Sequence, residues 1–128
     1  MGDYRKLEVW RLAHQLTLNT YRTTGGMPKS EIYGLVSQMR RAAVSVASNI
    51  AEGAGRRGDR EMAYFVRVAL GSVSELQCQY QLGADLGWIA PDVHNESIAT
   101  TDRLRAMLEG LRVKLKSRRI PRSGVGSG

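Results

Sequence analysis

Apolar residues recur every three or four positions along most of the chain, and alternation of apolar and polar residues is absent over any useful length. That spacing predicts helices and argues against strands. A first helix is expected from about Leu7 to Thr24, with Val9, Trp10, Ala13 and Leu16 on its apolar side, extending to Tyr21. "TGGMP", Thr24 to Pro28, supplies a glycine pair and a proline to stop it. A second is expected from about Ile32 to Ala54. Its stripe is Leu35, Met39, Ala42, Val46 and Ile50, and small residues such as Ala43, Ser45 and Ala47 would let a neighbour approach closely. A third runs from about Arg60 to Leu86 through Met62, Phe65, Ala69, Val73, Leu76, Tyr80 and Gly83. "GWIAP" closes it, with Gly87 suited to a left-handed cap and Trp88 able to fold back onto the last turn. A fourth opens at Pro91 and reaches about Lys116 through Ile98, Leu104, Leu108, Leu111 and Leu115.

Four amphipathic helices joined by short turns predict an all-α fold, an antiparallel four-helix bundle spanning residues 1–116. Residues 117–128 read as a flexible tail, basic and then rich in glycine and serine. There is no internal repeat. No run approaches the roughly 18 apolar residues of a spanning helix, so no membrane partner is expected.

One short motif invites a different reading. Gly53, Gly55 and Gly58 spell GxGxxG within "NIAEGAGRRGDREMAYF". A dinucleotide-binding loop needs a strand before it and a helix opening inside it. Here a long helix precedes the motif, so no cofactor is expected. Gly53 and Gly55 are expected to end the second helix, where a positive φ is often required, and Gly58 to turn the chain. Asp59 is then the expected N-cap of the third helix, with Glu61 in its first turn.

Charge changes the picture more than composition does. The chain has 128 residues with 19 Lys and Arg against 12 Asp and Glu, a formal charge of +7. Fifteen of the basic residues are Arg, the side chain suited to bidentate phosphate contact and base stacking. The expected partner is a polyanion, nucleic acid rather than a membrane surface. The single Cys78 cannot form an internal disulfide, and with no signal peptide visible a cytoplasmic home is expected.

At the glycine corner the sequence resembles the four-helix bundle family associated with ribosomal-RNA intervening sequences. The resemblance rests on "KLEVWRLA" (Lys6 to Ala13), "YGLVSQMRRAAVSVASNIAEGAGR" (Tyr33 to Arg56), "YFVRVALGSVSELQCQ" (Tyr64 to Gln79) and "LGWI" (Leu86 to Ile89). It covers the first three helices closely and the fourth by pattern. "SVASNI" stands where an isoleucine–proline pair is common. The resemblance implies an up-down-up-down bundle, assembly as a ring-shaped homopentamer and no enzymatic activity. It also suggests an RNA role, because genes of some members lie inside insertions in large-subunit ribosomal RNA. A distantly similar basic bundle serves retroelements that diversify genes, where it binds nucleic acid and a reverse transcriptase.

Metal and nucleophile chemistry find little support. A di-metal bundle needs paired Glu-x-x-His motifs, and neither His14 nor His94 follows a Glu at that spacing. Glu52 and Glu75 fall on polar sides of their helices, and Cys78 falls on the outer side of the third. The basic residues are the better candidates. Arg60 and Arg67 share an outer stripe with Tyr64 between them, an aromatic placed to stack a base. Arg56 and Arg57 continue that patch at the corner. Arg40 and Arg41 lie on the second helix. Arg105, Arg112, Lys116 and Arg119 line a flank of the fourth, followed by Arg118 and Arg122. Any one of these could be a solvated side chain paired with Asp59, Glu61 or Glu109; the set points to phosphate.

A second run of apolar or small residues on the second helix, Val36, Val44, Ala47 and Ala51, predicts another partner face. Ala106, Gly110 and Val113 repeat it on the fourth. The expected function is a non-enzymatic, homo-oligomeric bundle that binds RNA or structured nucleic acid, with RNA favoured over DNA, mainly through phosphate contacts. The alternative is a ring that recruits a protein partner and has no direct nucleic-acid role.

Overall fold

Each of the four apolar stripes lies on an α-helix in the computed structural model, which describes residues 2–119. The helices are α1 (Glu8–Gly25), α2 (Leu35–Ala54), α3 (Asp59–Asp85) and α4 (Pro91–Arg119). Two short 3-10 turns, Tyr4–Lys6 and Lys29–Glu31, precede α1 and α2. Helix α4 runs past Lys116 to Arg119, so the start of the expected tail is helical. The remainder of that tail, with Arg122, lies outside the described residues.

Cross-helix hydrogen bonds fix an antiparallel ring. Thr17 Oγ1 donates to the Ala43 carbonyl (3.1 Å) and Arg40 Nε to Thr24 Oγ1 (2.8 Å), so α1 and α2 run in opposite directions. Ser45 and Ser72 hydroxyls meet at 2.8 Å between α2 and α3. Gln77 Nε2 donates to Thr101 Oγ1 (3.0 Å) and Arg118 Nη2 to Asp59 Oδ1 (2.7 Å) between α3 and α4. The smaller α1–α4 seam completes the ring and leaves α1 and α3 diagonal to one another.

The core fills the centre of that ring. Leu35, Met39, Ala42, Val46 and Ile50 of α2 are buried as their spacing requires. Leu104, Leu108 and Leu115 of α4 are fully buried, while Ile98 and Leu111 pack at the edge. On α3 the buried positions are Met62, Val66, Ala69, Val73, Leu76 and Tyr80, and Phe65 turns out to be half-buried. Each fully buried Leu, Val or Met contributes about 1.5–3 kcal/mol. Tyr21 is exposed and Trp10 half-buried, stacked on His14 with centroids 4.8 Å apart. Trp10 packs against the edge of the core as expected, whereas the place expected of Tyr21 is taken by Thr20 and Thr24, both buried.

Packing and turn geometry divide the corner glycines differently from expectation. Gly53 is not a cap: it lies within α2, and Gly55 follows with an ordinary φ of −85°. Gly53 is required by packing, because a Cβ there would stand 3.1 Å from Phe65 Cβ on α3. The left-handed turn falls on Gly58 alone, at φ +93°. Gly58 also holds the N-cap position expected of Asp59, which is instead the first helical residue. At the far end of α3, Gly87 takes φ +79° as expected. The amides of Gly87 and Trp88 donate back to the carbonyls of Ala84 (3.0 Å) and Gly83 (2.9 Å). Trp88 packs against the core, and Ile89 seats directly on Gly83, where a Cβ would overlap the Ile89 side chain.

Candidate nucleic-acid interface

The antiparallel register of α3 and α4 decides which predicted arginines become neighbours. Arg105 of α4 reaches Ser74 Oγ (3.3 Å) and Gln77 Oε1 (2.9 Å) of α3, and Arg118 reaches Asp59. Between these two ties, the same register sets Arg112 level with Arg67. Arg60, Arg67 and Ser74 repeat every seven residues, so they share the stripe of α3 that borders α4. The result is one basic seam along α3 and α4. It runs into the α2–α3 corner, where Arg56 and Arg57 stand.

Partners distinguish the members of the seam. Arg56 pairs with Glu52, Arg105 with Asp102, Arg112 with Glu109 and Arg118 with Asp59. The hydrogen bond to the Asp59 carboxylate holds the Arg118 guanidinium above its ordinary pKa. These pairs sit at the surface, where solvent screens them, so a phosphate can replace the carboxylate at little cost. Among the described residues, Arg57, Arg60, Arg67 and Lys116 are exposed and in no ion pair. Tyr64 is 54% exposed with Arg67 5.9 Å from its ring centroid, and Arg56 stands 5.1 Å from the ring of Phe65. Phe65, expected wholly in the core, thus adds an exposed edge to the patch. Arg119 belongs to α4 by its backbone; its side chain lies outside the described residues.

Arg40 and Arg41 are not brought to this seam. They lie toward the opposite end of the bundle, with Arg41 roughly 22 Å from Arg56 along α2. Arg40 donates to Thr24 Oγ1 (2.8 Å) and to the Tyr21 carbonyl (3.4 Å), with its guanidinium 4.6 Å from the Tyr21 ring centroid. A cation on the last turn of α1 offsets the helix dipole there, so Arg40 holds α1 to α2. Arg41 is exposed and bonds only weakly to Ser37 Oγ, at 3.4 Å.

The expected partner face divides. Val36 is removed from it: at 3% exposure it belongs to the core, because the arc of α2 packed between α1 and α3 is wide enough to take both Leu35 and Val36. Val44 (40%), Ala106 and Val113 (56%) are exposed, and Ala47 and Ala51 half-buried. Cys78 is exposed and shares a groove between α3 and α4 with His94, whose Nε2 is buried without a hydrogen-bond partner among the described residues. That neighbour is invisible in sequence, where sixteen positions separate the two. Among the described residues, no three His, Cys, Asp or Glu side chains cluster as metal ligands. Nor is any helix long and apolar enough to cross a membrane.

Comparison with curated proteins returns no match. The family comparison is decisive: residues 5–110, all of α1 to α3 and most of α4, match the model of the 23S rRNA-intervening sequence protein family, and the chain belongs to that family.

Proposed function

We propose that this protein is a non-enzymatic, homo-oligomeric helical bundle that binds RNA through phosphate contacts along the α3–α4 seam and the α2–α3 corner. The observation that carries the reading is the gathering of Arg57, Arg60 and Arg67 beside Arg112, Lys116 and Arg118 by the antiparallel register, several of them without a carboxylate partner. Like charges held together on a rigid surface repel, and a polyanion relieves that repulsion. The family's link to ribosomal-RNA insertions favours RNA over DNA. Binding of this kind follows backbone charge and is largely independent of sequence, since side chains on the outside of a bundle offer no groove-reading helix.

Self-association fits the same role. Val44, Ala106 and Val113 leave apolar area in water that a partner copy would cover. A homopentamer is the assembly that the resemblance to bundle proteins suggests, and it would present the seam several times over to one polyanion. The second reading, a ring that recruits a protein, draws on that same apolar area. A gel shift with labelled RNA across a salt series separates the two. Affinity falling linearly in log–log form supports phosphate binding. A protein partner co-purified without absorbance at 260 nm supports the scaffold.

A further inference from the structure

Tyr33 is 93% exposed, the most exposed large apolar side chain among the described residues. It stands on a turn that its neighbours hold rigid. The amides of Ile32 and Gly34 donate to the carbonyls of Lys29 (3.2 Å) and Glu31 (2.9 Å), and Leu35 N donates to Glu31 Oε1 (3.2 Å). An aromatic ring held out on a fixed backbone contributes nothing to its own core. It does offer a flat face at small entropic cost.

Two grooves of about 440 Å³ each flank that ring. Both are also lined by Ser37 and Arg41. On the α1 side, Tyr21, Ile32 and Arg40 complete an apolar and cationic wall with no carboxylate in it; Val44, which also lines this groove, belongs to the face offered to a partner copy, so the α3-side groove is the one left for a base. On the α3 side, Gln38, Ser45 and Ser72 supply hydrogen-bonding groups, with Glu75 the one acid. Among the described residues neither Arg40 nor Arg41 is in an ion pair. A flat π-face, an adjacent guanidinium and a polar groove are what an unpaired nucleotide needs: a surface for its base and a cation for its phosphate.

We infer that the Tyr33 turn is a second RNA contact, distinct from the α3–α4 seam, at which an unpaired base of single-stranded RNA stacks while Arg41 meets the flanking phosphate. This rests on the RNA-binding reading and adds to it the conformation of the ligand: a duplex engages the seam alone, a single strand both places.

Fluorescence anisotropy with a labelled 20-nucleotide oligouridylate and a labelled RNA duplex of equal length tests it on the full chain. Tyr33→Ala is expected to weaken oligouridylate binding about five- to hundredfold and to leave duplex binding unchanged, because paired bases are already stacked. Tyr33→Phe is expected to bind as the intact protein does, since only the ring is used. Equal losses on both RNAs, or no loss on the single strand, overturn the inference. So does a fall in oligomer mass for Tyr33→Ala by native mass spectrometry, which would make the turn a subunit contact. Duplex binding that persists while Tyr33→Ala has no effect removes this site alone. Binding of neither RNA by the intact protein removes the proposed function with it.

Discussion

The hydroxyls of Tyr80 and Thr20 lie 2.8 Å apart across the diagonal of the bundle, and both residues are fully buried. This bond joins α1 and α3, which are not otherwise neighbours. Tyr80→Phe is expected to lose about 1–3 kcal/mol by leaving the Thr20 hydroxyl without this partner. Thr20→Val in the same chain should recover part of that loss, because two matched apolar groups no longer need each other. Chemical denaturation of the two single variants and the double variant measures the coupling; simple additivity would show that the bond is not a unit.

Gly53 and Gly58 separate packing from backbone strain at one corner. Gly53→Val must push Phe65 and Met62 of α3 away, and a cost of about 1–3 kcal/mol is expected. Gly58→Ala meets nothing within 4 Å but would sit at φ +93°, with an expected cost of about 1 kcal/mol or more. Thermal melts of both variants check this, and a Gly53→Val protein as stable as the parent would show that the two helices can separate freely.

On the basic seam, replacing Arg57, Arg60 and Arg67 together by Ala is expected to weaken RNA binding for all sequences alike. The salt slope should shrink by about 0.7–0.9 for each phosphate that is no longer neutralised. Arg112→Ala removes a guanidinium that Glu109 already engages, so its effect should be smaller than that of Arg60→Ala. Anisotropy titrations at several salt concentrations report both quantities. A loss confined to one RNA sequence would point to base readout.

Self-association is tested at exposed positions, where a charge does not disturb the monomer's own core. Val113→Asp and Val44→Asp are expected to lower the assembly mass in native mass spectrometry while leaving the circular dichroism spectrum unchanged. A parent protein that is monomeric at micromolar concentration would remove the assembly altogether.

The helices and most of the core are legible from spacing because periodic burial writes itself into the sequence. The stripe of α2 from Leu35 to Ile50 is the clearest case. Buried polar residues leave no such trace. Thr24 and Thr101 hide their hydroxyls by bonding the carbonyls of Thr20 (2.7 Å) and Ser97 (3.0 Å), one turn back on their own helices. Tyr33 carries no signal either, because a turn has no period and its exposure depends on α1 and α3. Arginine positions are legible singly, but their grouping is not. Asp59 and Arg118 are 59 positions apart, and only the register of α3 against α4 joins them. Charge counting alone therefore groups Arg40 and Arg41 with the rest, although they stand toward the other end of the molecule.

The corner at Gly87 bears on how the chain finds its fold. Ile89 seats on Gly83 and the amides of Gly87, Trp88 and Ile89 close the turn onto Ala84 and Gly83, so α3 and α4 are brought together by contacts that cost little loop-closure entropy. The bond from Tyr80 to Thr20, by contrast, must close a loop of 60 residues. Helical hairpins with local contacts form fast. The α3–α4 hairpin is thus expected to assemble before α1 docks, and substitutions at Gly83 or Ile89 should slow refolding, whereas those at Thr20 should chiefly speed unfolding.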